Sequence, residues 1–378
     1  MTLFISFFLL YSYSQRQTSG FIYWFDDWIF YADGSGTYSH MKEFSFRGNM
    51  WRHPLYPVIV YPAVTVIKAV FGLGARQAAK ILIALIAALN VSLFFLLLRS
   101  CLREKTTVLL FTCLYGFLFS NLVFFSIPET YSLANIGILV FFLLIIRFHA
   151  NLSTGRVVIL GFASGVGALL NPPLGLLIFS VYLLCIRKFT VQDSLRLSLW
   201  ATLAALLVYL VTNALLFGFE YIENSRKLAS KWASFSNYFH SSNWLNVGAS
   251  FFLYSVISPL EELERSIGLK HMSGYFHSPV RALLFLGLVF YLGYAFYQLM
   301  RRGTDEIILI AAVWLTVFSV FHVYFNPREA LLYSCQALAP FMLILARVFA
   351  DIRWNWKPLP LGLFSLGLAY VNLKCLQG

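Results

Sequence analysis

The chain has 378 residues, of which 60% are hydrophobic, 18% aromatic and only 12% charged, with a mean hydropathy of +0.74. Those values exclude an ordinary soluble domain and point to a polytopic membrane protein. The formal charge of +12 is spread over short basic runs between apolar segments, which is the pattern of membrane topology and not of a nucleic-acid surface.

An apolar run over residues 3–13 opens the chain. It is short for a span of roughly 20 residues, and the pattern predicts that it continues to about Phe25 as one tilted helix. No Lys or Arg precedes it, which argues against a cleaved signal peptide. The next stretch, Phe25 to Pro57, gathers Asp26, Asp27, Asp33, His40, Glu43 and His53 in a chain otherwise poor in charge. Pro54–Phe71 then reads either as a span or as a helix lying along the interface.

Apolar spans follow at about 77–98, 107–126, 130–146, 157–170, 174–186, 196–217, 280–300, 305–325, 329–346 and 358–374. If residues 54–71 do not cross, the basic residues of every short loop fall on one side. These are Arg99, Arg103 and Lys105; Arg147 and Arg156; Arg187 and Lys188; Arg301 and Arg302; and Arg347, Arg353 and Lys357. The positive-inside bias therefore selects the interfacial reading. The pair 157–170 and 174–186 is too short for two full crossings. With Asn171-Pro172-Pro173 between its halves and basic residues at both outer ends, it is expected to enter and return to the same side. The fold class is thus an all-α polytopic membrane protein forming one domain, 1–378. It has about 11 transmembrane segments and a lateral helix after the first outer loop.

This topology puts four polar features on the outer face: the loop 26–53, the stretch Ser126–Tyr131, a long loop over 218–279, and Asn326-Pro327-Arg328-Glu329. Each has an ordinary structural reading as well. Asp26 and Asp27 can end the first helix in the headgroups, and Asp33 lies in an Asp-Gly-Ser-Gly turn. Pro128-Glu129 is good helix N-terminal grammar, and Asn326 with Glu329 resembles a capping box. Arg328 opposes the dipole of the helix it starts, so an anion, most simply a phosphate, would compensate it; pairing with Glu329 or a loop carboxylate would do so too. In the long loop, Leu228, Trp232, Phe235 and Phe239 with Arg226, Lys227 and Lys231 predict an amphipathic basic helix. Glu261, Glu262, Glu264, Arg265 and Lys270 read as solvated surface, and His240, His271 and His277 lack metal-ligand spacing. The five cysteines fall in or beside apolar helices without paired spacing and read as small core residues.

Taken together, these residues resemble the GT-C superfamily of integral membrane glycosyltransferases, which includes protein O-mannosyltransferases and the lipid A aminoarabinose transferase. An outer-loop aspartate (Asp33, or Asp26/Asp27) precedes His53-Pro54-Leu55-Tyr56-Pro57, and a lateral helix leads to Phe71-Gly72-Leu73-Gly74-Ala75-Arg76. A second carboxylate, Glu129, opens a later span where relatives often carry Asp, and Arg328 to Tyr333 forms a late Arg-x-x-x-Leu-Tyr stretch followed by Pro340. The His-Pro-Pro of many members is His-Pro-Leu here, and nothing resembles their C-terminal soluble domain, which leaves acceptor recognition to the loops.

The resemblance implies transfer of a sugar from a polyprenyl-phosphate donor to a glycan, lipid or protein acceptor, with inversion, on the periplasmic face of a bacterial cytoplasmic membrane. Asp33 would be the base, with Asp26 or Asp27 next, and Glu129 would position the base or the acceptor. Arg328, then Arg52 and His53, would hold the departing phosphate, with Tyr333 beside them. Asp33 and Glu129 would be the ligands of Mg²⁺ or Mn²⁺, although nothing in the sequence requires a metal. A transporter or flippase predicts ionisable residues near the bilayer midplane and an internal repeat. The midspan positions carry Asn90, Asn121, Asn135 and Asn213 but no Asp, Glu, Lys or Arg well inside a long span, and no repeat is found. A non-catalytic assembly protein on the same scaffold would tolerate loss of Asp33.

Overall fold

The structure, a computed structural model, describes residues 1–22, 34–46, 50–218, 220, 241–261, 267–302 and 305–377. It is all helical, with no strand among the described residues. In chain order the helices are α1 (Thr2–Ile22), α2 (Gly34–Lys42), α3 (Leu55–Phe71), α4 (Ala75–Cys101), α5 (Lys105–Phe117), α6 (Phe119–Phe124), α7 (Thr130–Phe148) and α8 (Thr154–Leu170). They continue with α9 (Ile178–Lys188), α10 (Val191–Phe217), α11 (Ser241–Ala249), α12 (Pro279–Arg302), α13 (Glu306–Phe325), α14 (Ala330–Ala350) and α15 (Pro358–Gln377).

Seven of these, α4, α7, α10, α12, α13, α14 and α15, are long and apolar enough to cross a bilayer. That makes the chain a polytopic membrane protein. α14 is the hub: 94% of its most apolar window is buried against its neighbours, compared with 11% for α10. The outward leucines of α10, among them Leu199, Leu203, Leu206 and Leu210, remain exposed, as a lipid-facing helix requires.

The basic loops meet at one end of the bundle. Lys188 pairs with Glu306 at 2.8 Å, Lys357 with Glu104 at 2.7 Å, and Arg347 with Asp305. A second Arg347 nitrogen donates to the Cys101 carbonyl at 2.7 Å. Asp305 also caps α13, accepting from the Ile308 N–H at 2.8 Å. Charged side chains and helix ends thus tie α4, α5, α9, α13, α14 and α15 together there.

Two expectations change. The single span predicted over 107–126 is broken at Leu118 into α5 and α6. Its freed backbone groups find partners from distant elements, as an apolar interior demands. Tyr11 Oη donates to the Gly116 carbonyl (3.0 Å), Asn372 Nδ2 donates to the Phe117 carbonyl (2.9 Å), and the Phe119 and Ser120 N–H groups reach the Val256 and Ser255 carbonyls. The second change concerns the outer loop of 218–279. Its described middle, a π-helical turn Ser250–Tyr254 and the extended residues after it, is not on the surface: Phe251, Tyr254, Ile257 and Ser258 are fully buried. The Asn372 amide completes the fit, with Nδ2 also donating to the Val256 carbonyl and Oδ1 accepting from the Ser258 N–H. The basic amphipathic helix expected over 226–239 lies outside the described residues.

The midspan asparagines have structural partners. Asn135 Nδ2 donates to Asn90 Oδ1 (2.8 Å) and to the Tyr115 hydroxyl (2.6 Å), joining α4, α5 and α7. The expected hairpin is present: α8 turns at Asn171-Pro172-Pro173, and a 3₁₀ segment Pro172–Leu177 runs back beside it, with Ser164 Oγ donating to the Gly175 carbonyl at 3.0 Å. α8 also lies hard against α10. A Cβ on Gly161 would sit 2.2 Å from the Ala201 carbonyl oxygen, and one on Gly165 2.3 Å from Val208. The spacing is that of small-residue helix contacts in membranes. Of the cysteines, Cys185, Cys335 and Cys375 are buried and Cys101 and Cys113 half-buried, all with free thiols.

Candidate functional site

The end of the bundle opposite the ion pairs collects the polar residues singled out in the sequence. Proline geometry starts it. Pro54 leads into α3, whose buried stripe Tyr56, Val60 and Val64 seats the helix on the bundle. The residues just before Pro54 are thereby fixed at the hairpin tip. His53 Nδ1 lies 2.9 Å from the Leu170 carbonyl, and because a carbonyl only accepts, Nδ1 carries the proton and Nε2 presents a lone pair. Burial pushes the His53 pKa down to about 4; the Leu170 bond opposes that shift and the Arg52 charge adds to it. His53 is therefore neutral near pH 7. It offers an acceptor and not the positive charge expected of it. Arg52 supplies the charge, lying over the Trp51 ring at 5.3 Å.

Glu129 is 4% exposed and caps α7, its carboxylate accepting from the Thr130 N–H at 3.0 Å. The structural reading of Pro128-Glu129 is thus realised, and the cap also holds a buried carboxylate at this end of the bundle, where the helix dipole favours it. Tyr131, two residues on, packs edge to face on Tyr333 with centroids 5.2 Å apart. Glu129, Glu329 and Arg52 all act electrostatically on Tyr333, so the first loop, the start of α7 and the start of α14 lie within electrostatic range of one ring.

The Asn326–Glu329 turn differs from the capping box that its sequence suggests. The Asn326 side chain makes no cap; the turn is held by Asn246, whose amide donates to the Pro327 carbonyl at 2.6 Å. The Glu329 carboxylate accepts instead from the Tyr333 hydroxyl at 3.5 Å, the outer limit of a hydrogen bond. Arg328 has its backbone in this turn, and its side chain lies outside the described residues. Asp26, Asp27 and Asp33 also lie outside them. Two residues of the predicted polar stretch stand apart from the group: His40 Nδ1 meets the Ser45 carbonyl and hydroxyl, and Glu43 is exposed.

Sequence reasoning missed His322. It is wholly buried in α13, stacked on Tyr333 at 4.2 Å and walled by Phe251, Phe318, Phe321 and Phe325. Neither ring nitrogen has a hydrogen-bond partner among the described residues. A histidine inside an apolar span was the available signal.

No protein-family model and no curated protein matches this chain.

The chemistry must therefore be argued from the residues. Among the described residues, this end of the bundle offers a cation at Arg52, a neutral imidazole acceptor at His53, a capped carboxylate at Glu129 and the rings of Tyr131 and Tyr333. A cation with a lone-pair acceptor beside it suits a ligand that is anionic at one atom group and hydroxylated at another, such as a sugar phosphate. Among the described residues, no three His, Cys, Asp or Glu side chains converge to hold a metal ion. Asp33, the other ligand expected beside Glu129, is outside those residues.

Proposed function

We propose that the chain is a membrane glycosyltransferase of the GT-C type, moving a sugar from a polyprenyl-phosphate donor to an acceptor on the outer face of a cytoplasmic membrane. The observation that carries this reading is the meeting of Arg52, His53, Glu129 and Tyr333 at the end of the bundle opposite the ion-paired basic loops. By the positive-inside rule the basic end is cytoplasmic, so this group faces the periplasm. In this reading the transmembrane segments number about 11, counting α1, the broken α5–α6 and the two re-entrant arms of the hairpin. α3, at 17 residues and about 25 Å, lies along the interface and does not cross.

The reaction follows from the groups. A carboxylate, with Asp33 the first choice and Asp26 or Asp27 next, takes the proton of the acceptor hydroxyl as that oxygen attacks the anomeric carbon. The bond from that carbon to the phosphate oxygen breaks, and the phosphate leaves with the electron pair. Arg328 and Arg52 hold the charge that develops on it. Attack opposite the leaving group inverts the anomeric centre. His53 Nε2 accepts from a hydroxyl of the sugar or of the acceptor, and Glu129 positions the base or the acceptor.

The test is transfer of label from a mixed pool of radiolabelled polyprenyl-phosphate sugars in proteoliposomes, with wild type beside Asp33→Asn. Transfer by wild type that Asp33→Asn loses, while its melting temperature holds, supports the enzyme and its base. Equal transfer by both moves the base to Asp26, Asp27 or Glu129.

A further inference from the structure

The turn that joins the arms of the α8–α9 hairpin is complete without the side chain of Asn171. Its backbone N–H donates to the Gly167 carbonyl and its carbonyl accepts from the Leu174 N–H, both at 2.9 Å. Its extended backbone, φ −155° and ψ 121°, is what the following proline imposes on any residue. The side chain is nevertheless buried, 2% exposed, and Nδ2 has no acceptor among the described residues. An amide donor buried unpaired is destabilising, so a small apolar residue would serve the turn better. Among the described residues nothing explains the asparagine; an acceptor beyond them would.

The position of this donor bears on what that acceptor is. Leu170, the residue before Asn171, is the one on which His53 docks, at 2.9 Å. Arg52, the residue before His53, has a second buried nitrogen without an acceptor, Nε. One hydrogen bond therefore clamps together two dipeptides, Arg52-His53 and Leu170-Asn171, each carrying a donor with no acceptor among the described residues. One of the two donors is fully charged. Such a pair, one neutral and one cationic, suits an anion with several oxygens.

We propose that Asn171 Nδ2 and Arg52 Nε donate to non-bridging oxygens of one phosphate group, so that the hairpin tip is part of the phosphate seat. That the phosphate is the carrier's rests on the glycosyltransferase reading. The donors themselves call only for an anion with several oxygens. The hairpin then has a function in addition to packing: its tip brings a neutral donor to the site.

The probe is a short prenyl phosphate without a sugar, citronellyl phosphate, with citronellol and inorganic phosphate as controls, binding to the full-length protein in detergent. Wild type should bind the prenyl phosphate well above citronellol. Asn171→Ala should weaken the prenyl phosphate by about tenfold or more, as expected for one hydrogen bond to a charged group, and leave citronellol unchanged. Asn171→Asp should weaken it further by repulsion. Asn171→Ala and Arg52→Gln should be less than additive in the double variant if they hold the same phosphate.

Wild-type affinity in Asn171→Ala overturns the proposal, as does an equal loss for citronellol, since that loss would come from the fold. Inorganic phosphate that competes as well as the prenyl phosphate overturns the assignment to the carrier. Binding that behaves as expected in a protein that transfers no sugar from any donor upholds this site and rejects the glycosyltransferase reading.

Discussion

At the residue scale, Glu129 and His53 each combine a structural duty with a group able to do chemistry, and the two can be separated. Glu129→Gln keeps an oxygen for the Thr130 N–H, so stability should change by less than about 0.5 kcal/mol. Activity should fall by about 10²-fold or more if the carboxylate charge is used. Glu129→Ala should lose the cap as well, at about 1 kcal/mol. Thermal melts and label transfer on the same preparations distinguish the two, and a Gln variant of full activity would make Glu129 a cap only. For His53 the test is pH. In the unfolded chain it takes a proton near 6.5, in the native state only near 4, so its contribution to stability is complete above 6.5 and is lost as the pH falls towards 4. His53→Asn retains a donor for the Leu170 carbonyl but does not titrate. The melting temperature of wild type should therefore drop more than that of His53→Asn between those two pH values.

At the scale of elements, the bundle is held where helices break or touch closely. Asn372 serves three backbone groups at once, the Phe117 and Val256 carbonyls and the Ser258 N–H. Asn372→Ala leaves the Phe117 carbonyl and the Ser258 N–H unpaired in an apolar interior, while the Val256 carbonyl keeps the Phe119 N–H, and a loss of about 2–4 kcal/mol is expected. Hydrogen exchange should rise at residues 117–120 and 255–258 in that variant if the break depends on this amide. Gly161→Leu should separate α8 from α10 and cost about 1–3 kcal/mol or more, because backbone of α10 already occupies the space. Unchanged thermal stability in that variant would contradict the close packing. The glycine spacing 161 and 165 stands in the sequence as a helix-contact signal, whereas the break at Leu118 could not be read there. Residues 107–126 are uniformly apolar, and the groups that stabilise the break come from α1, α15 and the segment after the π-helical turn.

At the scale of the whole molecule, the architecture was the most legible part. Long apolar windows gave the seven long helices, and the basic loops foretold the end at which Lys188, Arg347 and Lys357 find their carboxylates. Short-range grammar also placed Glu129 at a helix start and the hairpin turn at Asn171-Pro172-Pro173. What stayed hidden was set by tertiary contacts: the burial of Ser255 to Leu260, the tautomer of His53, and the stacking of His322 on Tyr333. A single sequence carries composition and spacing, not the partner that a distant segment brings. The sidedness is open to direct labelling. In a background without native cysteines, Lys42→Cys should react with an impermeant maleimide from outside and Ser153→Cys only after the membrane is opened. The reverse order would invert the topology, and reaction of both from one side would contradict the span count between them.

One measurement bears most directly on the claim that this end of the bundle cleaves a donor. It is release of free polyprenyl phosphate from a mixed pool of polyprenyl-phosphate sugars, followed in a single turnover with acceptor-containing membranes, for wild type, Asp33→Asn and Glu129→Gln in parallel. The account predicts release by wild type and about 10²-fold or greater loss in Asp33→Asn, with all three proteins folded alike. If wild type, folded and supplied with acceptor membranes, releases no polyprenyl phosphate from any donor, the glycosyltransferase account is contradicted.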